Sequence, residues 1–119
     1  WFKRGAMVKE FDEVAFKLGE VVEVIPYALS GSPELAANVA AMMDNHAHAY
    51  LIQNHGALLL GSTLSEAWLN AELLEKVCRV YAYALSTGDA VHPIPESFRN
   101  VIRDTRSFLR AENIKGLAP

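Results

Sequence analysis

Cysteine is almost absent from this chain: Cys78 is the sole one in 119 residues. An internal disulfide is therefore excluded, and a lone thiol inside a helical pattern fits a reducing, cytoplasmic setting. Excess positive charge is lacking too. Eleven Lys and Arg stand against fourteen Asp and Glu, for a net charge of −3, with a pI of about 5.8. The basic residues are scattered and not interleaved with aromatics, so no nucleic-acid partner is expected. No apolar run nears the ~20 residues of a membrane span, so no membrane partner is expected either. Trp1-Phe2-Lys3-Arg4 is neither a charged leader ahead of an apolar stretch nor an initiator Met, and no signal peptide is read there. What the chain does have is core material: 51% hydrophobic residues and a mean hydropathy of +0.10, enough for one domain at most at this length.

Periodicity sets out the elements. Phe11, Val14, Ala15 and Leu18 fall at helical spacing before Gly19, predicting a short amphipathic helix over 11–19. Residues 21–28 are β-branched and alternating, and read as a strand ended at or just after Pro26. Ser32 as cap and Pro33 at the first helical position predict a helix to about Met43, with Leu35, Val39 and Met42 inward. Asp44-Asn45-His46 reads as a turn, 47–53 as a strand and 57–60 as another. Thr63 and Glu66 have capping-box spacing ahead of a helix of about 23 residues, its inward stripe being Ala67, Leu74, Val77, Cys78, Tyr81 and Leu85. After a Pro93/Pro95 loop, a last helix from Glu96 to about Ala111 should turn Phe98, Ile102 and Leu109 inward and end before Gly116. No repeat or low-complexity tract is present. Helices alternating with a few strands predict an α/β layered domain.

The segment 49–88 is the most informative. It reads as strand, polar break with one imidazole (Gln53-Asn54-His55-Gly56), strand, and long helix. A histidine at a strand end is held rigidly, which suits a metal ligand. Asn54-His55-Gly56, the apolar run, Gly61, and the helix motif Leu64-Ser65-Glu66-Ala67 with Ala71-Glu72-Leu73-Leu74-Glu75 together resemble the class II aldolase/adducin family. Ile25-Pro26-Tyr27-Ala28 followed by Gly31-Ser32-Pro33-Glu34-Leu35-Ala36 resembles that family's preceding strand and helix. The resemblance runs from about Val21 to Gly88, in order. It implies a layered α/β/α sandwich of the class II aldolase type, of which residues 1–119 are a single partial domain, about the C-terminal half. A short chain complete in itself is the plain alternative.

By this resemblance His55 is one of three imidazoles on a divalent metal, zinc foremost with manganese as the other option. The other two belong to a His-x-His pair far upstream, in the half of the domain that also carries the phosphate cradle and Glu base, and none of these is found in this chain. The implied activity is that of a metal-dependent sugar-phosphate lyase, an aldolase. The metal polarises the substrate's carbonyl and hydroxyl oxygens and so stabilises an enediolate. The alternatives are an epimerase, dehydratase or decarboxylase on the same fold, or a non-catalytic adducin-like scaffold. The implied partners are a small sugar phosphate or related hydroxy-carbonyl compound and further copies of the chain, as a homotetramer.

Each candidate has a structural competitor. His55 could simply cap a strand end. His46 and His48, at i and i+2, imitate the family's pair. Yet His48 and His55 are ~23 Å apart along an extended chain at ~3.3 Å per residue, and no turn residue lies in Tyr50-Leu51-Ile52. They read as surface residues, as does His92 before Pro93. Tyr27 is a candidate catalytic proton donor, against the alternative of a core tyrosine with a satisfied hydroxyl. Ser30 and Gly31 are candidate substrate-binding residues. Resembling aldolases carry an aromatic residue where Ser30 stands, so both shape and polarity differ there. Glu66 is explained by capping, Glu72 and Glu75 by a solvated helix face, and Cys78 by the buried stripe.

Overall fold

In the computed structural model, residues 12–19, 21–43 and 47–116 are described. The elements run α1 (Asp12–Lys17), β1 (Glu23–Ile25), α2 (Pro33–Met42), β2 (Ala49–Ile52), β3 (Gly56–Leu59), α3 (Leu64–Ser86) and α4 (Glu96–Gly116). The strands form one sheet in the order β1-β2-β3. β1 pairs parallel to β2, Ile25 opposite Ile52, through the α2 crossover. β2 and β3 form an antiparallel hairpin with Ile52 opposite Gly56. Among the described residues no helix is long and apolar enough to cross a membrane.

Strand alternation gives the sheet two distinct faces. Ala49, Leu51 and Leu59 turn to one face, where Val14, Ala15 and Leu18 of the α1 region meet Leu74, Val77 and Tyr81 of α3. Tyr50, Ile52 and Leu58 turn to the other, under Val39 and Met42 of α2. Helix, sheet and helix thus form the predicted three-layer α/β/α arrangement. Tyr50, Leu18, Ile25 and Val14 are its largest fully buried side chains, each contributing about 1.5–3 kcal/mol by leaving water. The α3 layer is closed more tightly than the α2 layer, since α2 contributes no fully buried residue.

The helix starts are the predicted ones. The Ser32 hydroxyl accepts from the Leu35 N–H with Pro33 at the first position, and the Thr63 hydroxyl accepts from the Glu66 N–H. The Glu66 carboxylate, however, turns to the backbone N–H and hydroxyl of Ser62 rather than to the cap residue's own N–H. This holds the β3–α3 connection against the first turn of α3. Gly61 is required there: a Cβ would lie 2.5 Å from the Ala67 backbone nitrogen.

Several expectations need correction. β1 is shorter than 21–28 because Pro26 has no N–H to continue the ladder, although the Gln53 N–H still reaches the Ile25 carbonyl at 3.0 Å. β2 likewise occupies less than 47–53, ending where the turn at 53–55 begins, while β3 keeps the expected length but starts one residue earlier than 57–60. Leu85 is exposed, the last buried residue of α3 being Tyr81. Phe98 and Leu109 are exposed as well. α4 shelters Ile102 and Arg106 instead and continues through Gly116, past the expected end. Asn70, missing from the expected stripe, is buried and donates from Nδ2 to the Leu60 carbonyl at 2.7 Å. Phe11 and the turn 44–46 lie outside the described residues.

Candidate functional site

Because β1 and β2 are parallel neighbours, their carboxyl ends open on the same edge of the sheet. The segment after β1 and the turn after β2 are thereby brought side by side. In open α/β sheets this edge is where ligands bind, because loops diverge there and leave a crevice. The β2–β3 turn is closed by the His55 N–H donating to the Ile52 carbonyl at 3.0 Å. Asn54 takes the left-handed conformation at φ 61°, which Asn tolerates better than most residues. His55 is therefore presented at the tip of a rigid hairpin, exposed to solvent.

Its ring is held on two sides. His55 Nε2 lies 2.9 Å from the Ala28 carbonyl oxygen. A carbonyl can only accept, so Nε2 donates, and in the neutral ring the lone pair sits on Nδ1. Nδ1 has no hydrogen-bond partner among the described residues. The Tyr27 ring stacks on the imidazole with centroids 5.5 Å apart and planes 10° from parallel, within the range of favourable aromatic pairs. Tyr27 is 50% exposed and so is no core tyrosine. Its backbone N–H donates to Gln53 Oε1 at 3.3 Å, and Asn38 Nδ2 reaches the Pro26 carbonyl at 3.4 Å.

Ser30 and Gly31 form the turn that leads into α2, both exposed, with the Ser32 N–H closing the turn on the Leu29 carbonyl at 3.0 Å. Gly31, at φ 77°, has open space where a Cβ would stand, so its role in the turn is conformational. They share a loop with Tyr27. His48 sits at the opposite end of the hairpin from His55, where its backbone carbonyl accepts from the Leu60 N–H at 2.8 Å. His46 lies outside the described residues, and His92 is exposed in the loop before α4. Burial pushes the half-buried Cys78 thiol up, with the Glu75 charge adding to the shift; it therefore stays a protonated thiol of the helix interior.

An imidazole fixed through one nitrogen, with the other bare, fits a metal ligand, since ligating histidines typically hold their second nitrogen in such a bond. Among the described residues no group of three or more His, Cys, Asp or Glu side chains could hold a metal ion. The fit thus concerns one ligand. Sequence reasoning named His55 as a candidate but did not single out Asn38, on α2, or Gln53 and the Ala28 carbonyl, whose contacts depend on the parallel register of β1 and β2. The turn preference of Asn54 was a signal available in the sequence.

Residues 3–82 match the family described as the class II aldolase and adducin N-terminal domain, and the chain belongs to that family. It is 32% identical over 59 residues to an L-fuculose phosphate aldolase of Methanococcus maripaludis strain C5, a match covering 50% of this chain and 31% of the relative. It is 39% identical over 54 residues to a putative aldolase class 2 protein of Caulobacter vibrioides, covering 44% and 21% respectively. Among solved structures, YgbL from Klebsiella pneumoniae, described as a putative aldolase/epimerase/decarboxylase, superimposes with a TM-score of 0.69 at 25% identity. That match covers 83% of this chain and 46% of YgbL. The Escherichia coli YgbL gives 0.70 at 24% identity, covering 84% and 46%. The chain thus spans less than half the length of the relatives it matches.

Proposed function

We propose that the chain is about the C-terminal half of a class II aldolase-type domain and that His55 is one of its metal ligands, in a lyase acting on a sugar phosphate. The observation that carries this reading is the His55 ring itself, held through Nε2 at the carboxyl edge of a parallel strand pair. The likeness to the L-fuculose phosphate aldolase supports the substrate class. A divalent metal, zinc or else manganese, would supply Lewis-acid polarisation of a substrate carbonyl and hydroxyl. The remaining ligands would come from sequence outside these 119 residues. Tyr27 offers a phenol beside His55 that can hold or pass a proton. The Ser30 hydroxyl and the open surface of Gly31 offer a polar wall for the substrate.

Ser30 also favours a second reading. A hydroxyl stands where resembling aldolases carry an aromatic side chain, which suits a different substrate shape and hence an epimerase, dehydratase or decarboxylase on the same fold. Homotetramer assembly is supported by apolar side chains exposed on α3 (Trp68, Leu69, Tyr83) and α4 (Phe98, Val101, Phe108). A cytoplasmic setting is supported by the single free thiol.

The test is to supply the intact protein with zinc or manganese and L-fuculose phosphate and to follow release of the cleaved carbonyl product. Cleavage that disappears with chelator and in His55→Ala is the expected result. Cleavage that persists in metal-free His55→Ala protein overturns the reading. Metal-dependent turnover of a hydroxy-carbonyl substrate without carbon–carbon cleavage selects the second reading.

A further inference from the structure

Between β1 and α2, three consecutive residues are each gripped by a side chain from another part of the fold. Asn38 reaches the Pro26 carbonyl, Gln53 accepts from the Tyr27 N–H, and His55 donates to the Ala28 carbonyl. Two of these gripping residues, Gln53 and His55, belong to the β2–β3 turn. That turn is therefore tied to the loop twice, at 3.3 Å and 2.9 Å. Between the two ties lies Tyr27, whose ring is stacked on the imidazole.

We propose that Gln53 and Tyr27 are positioning residues that fix the tautomer and the plane of the His55 ring. This deepens the reading of His55 as a metal ligand and rests on it. The Gln53 bond holds the loop one residue ahead of Ala28 and so sets where the Ala28 carbonyl points. The carbonyl in turn selects the Nε2–H tautomer, since the alternative would set two lone pairs against each other. Tyr27 blocks rotation of the ring out of its plane through its aromatic face, a role that does not need the phenolic hydroxyl. The result is a single bare nitrogen, Nδ1, offered in one direction. Gln53 and Tyr27 are both exposed, so removing either side chain leaves the core untouched.

The test uses intact protein labelled with 15N-histidine. Long-range 1H–15N spectra of the metal-free protein should show His55 with Nε2 protonated and Nδ1 bare. Gln53→Leu and Tyr27→Leu should give a mixture of tautomers, while Tyr27→Phe should match the wild type. Zinc affinity, read by chelator competition, should fall about tenfold in the two Leu variants and be retained in Tyr27→Phe. A wild-type ring protonated at Nδ1 overturns the proposal. So do Leu variants with unchanged tautomer and unchanged affinity. If the tautomers behave as stated but no variant, nor the wild type, binds zinc, the positioning is supported and the ligand reading alone fails.

Discussion

The two ends of the β2–β3 hairpin each carry a histidine, and they are built in opposite ways. At the His48 end the polar groups close on one another. The His48 N–H donates to the Leu18 carbonyl at 2.7 Å, the Leu60 N–H to the His48 carbonyl, and Asn70 to the Leu60 carbonyl. Ser62 and Glu66 add a further tie. Each of these bonds uses a backbone group just beyond the end of α1, β2, β3 or α3, and Asn70 is buried among them. At the His55 end, side chains hold an exposed loop, and one ring nitrogen is left bare. Polar groups at the first end tie backbone together, whereas those at the second hold an imidazole ring in one place. The difference lies in the ring: the His55 imidazole is itself bonded and stacked, while the His48 bonds run through its backbone.

Substitutions should separate the two ends by what they damage. The largest stability loss is expected from Leu74→Ala on the face behind the His48 end, where Leu74 is 4% exposed. About 2–5 kcal/mol should be lost in denaturant unfolding of the intact protein. Gly61→Ala should cost about 1–3 kcal/mol, because the added Cβ meets backbone that cannot yield without shifting α3. Asn70→Ala should cost about 1–2 kcal/mol by leaving the Leu60 carbonyl without its donor. By contrast, His55→Ala should cost less than about 1 kcal/mol, since it removes one exposed hydrogen bond and one exposed stack. A His55→Ala protein destabilised as much as Leu74→Ala would erase the distinction between the ends.

The smallest effect concerns acid. The Ser62 hydroxyl, then the Ser62 backbone N–H, hold the Glu66 carboxyl below its ordinary value of 4.5, with the charges of His48 and Lys17 adding slightly. A depressed carboxyl stabilises the fold above its unfolded value, and that contribution is lost as pH falls through the folded value. Glu66→Gln should therefore flatten the acid limb of the stability curve below pH 4.5. An unchanged acid limb would remove Glu66 from the ties at the His48 end.

Much of this arrangement was legible in the sequence. Ser32-Pro33 and Thr63 announced the helix starts, and the apolar run Tyr50-Leu51-Ile52 announced a strand, which the structure covers on both faces. His55 at a turn followed from the polar break between two apolar runs. The family resemblance, carried by 25–36 and 54–75, is matched by the family profile over 3–82. What stayed hidden was lateral. Gln53 reaches Tyr27 only because β1 lies parallel beside β2, and no local pattern encodes that register. The exposure of Phe98 and Leu109 was hidden for a related reason. Helical spacing shows that α4 has an apolar face, but the packing of α4 on α1 decides which part is covered.

The central proposal, that His55 rather than His48 is a metal ligand, is tested most directly by elemental analysis of two variants of the intact protein. His55→Ala should lose its bound divalent metal, and His48→Ala should retain the wild-type amount. Full metal occupancy in His55→Ala, or metal loss in His48→Ala, would contradict it.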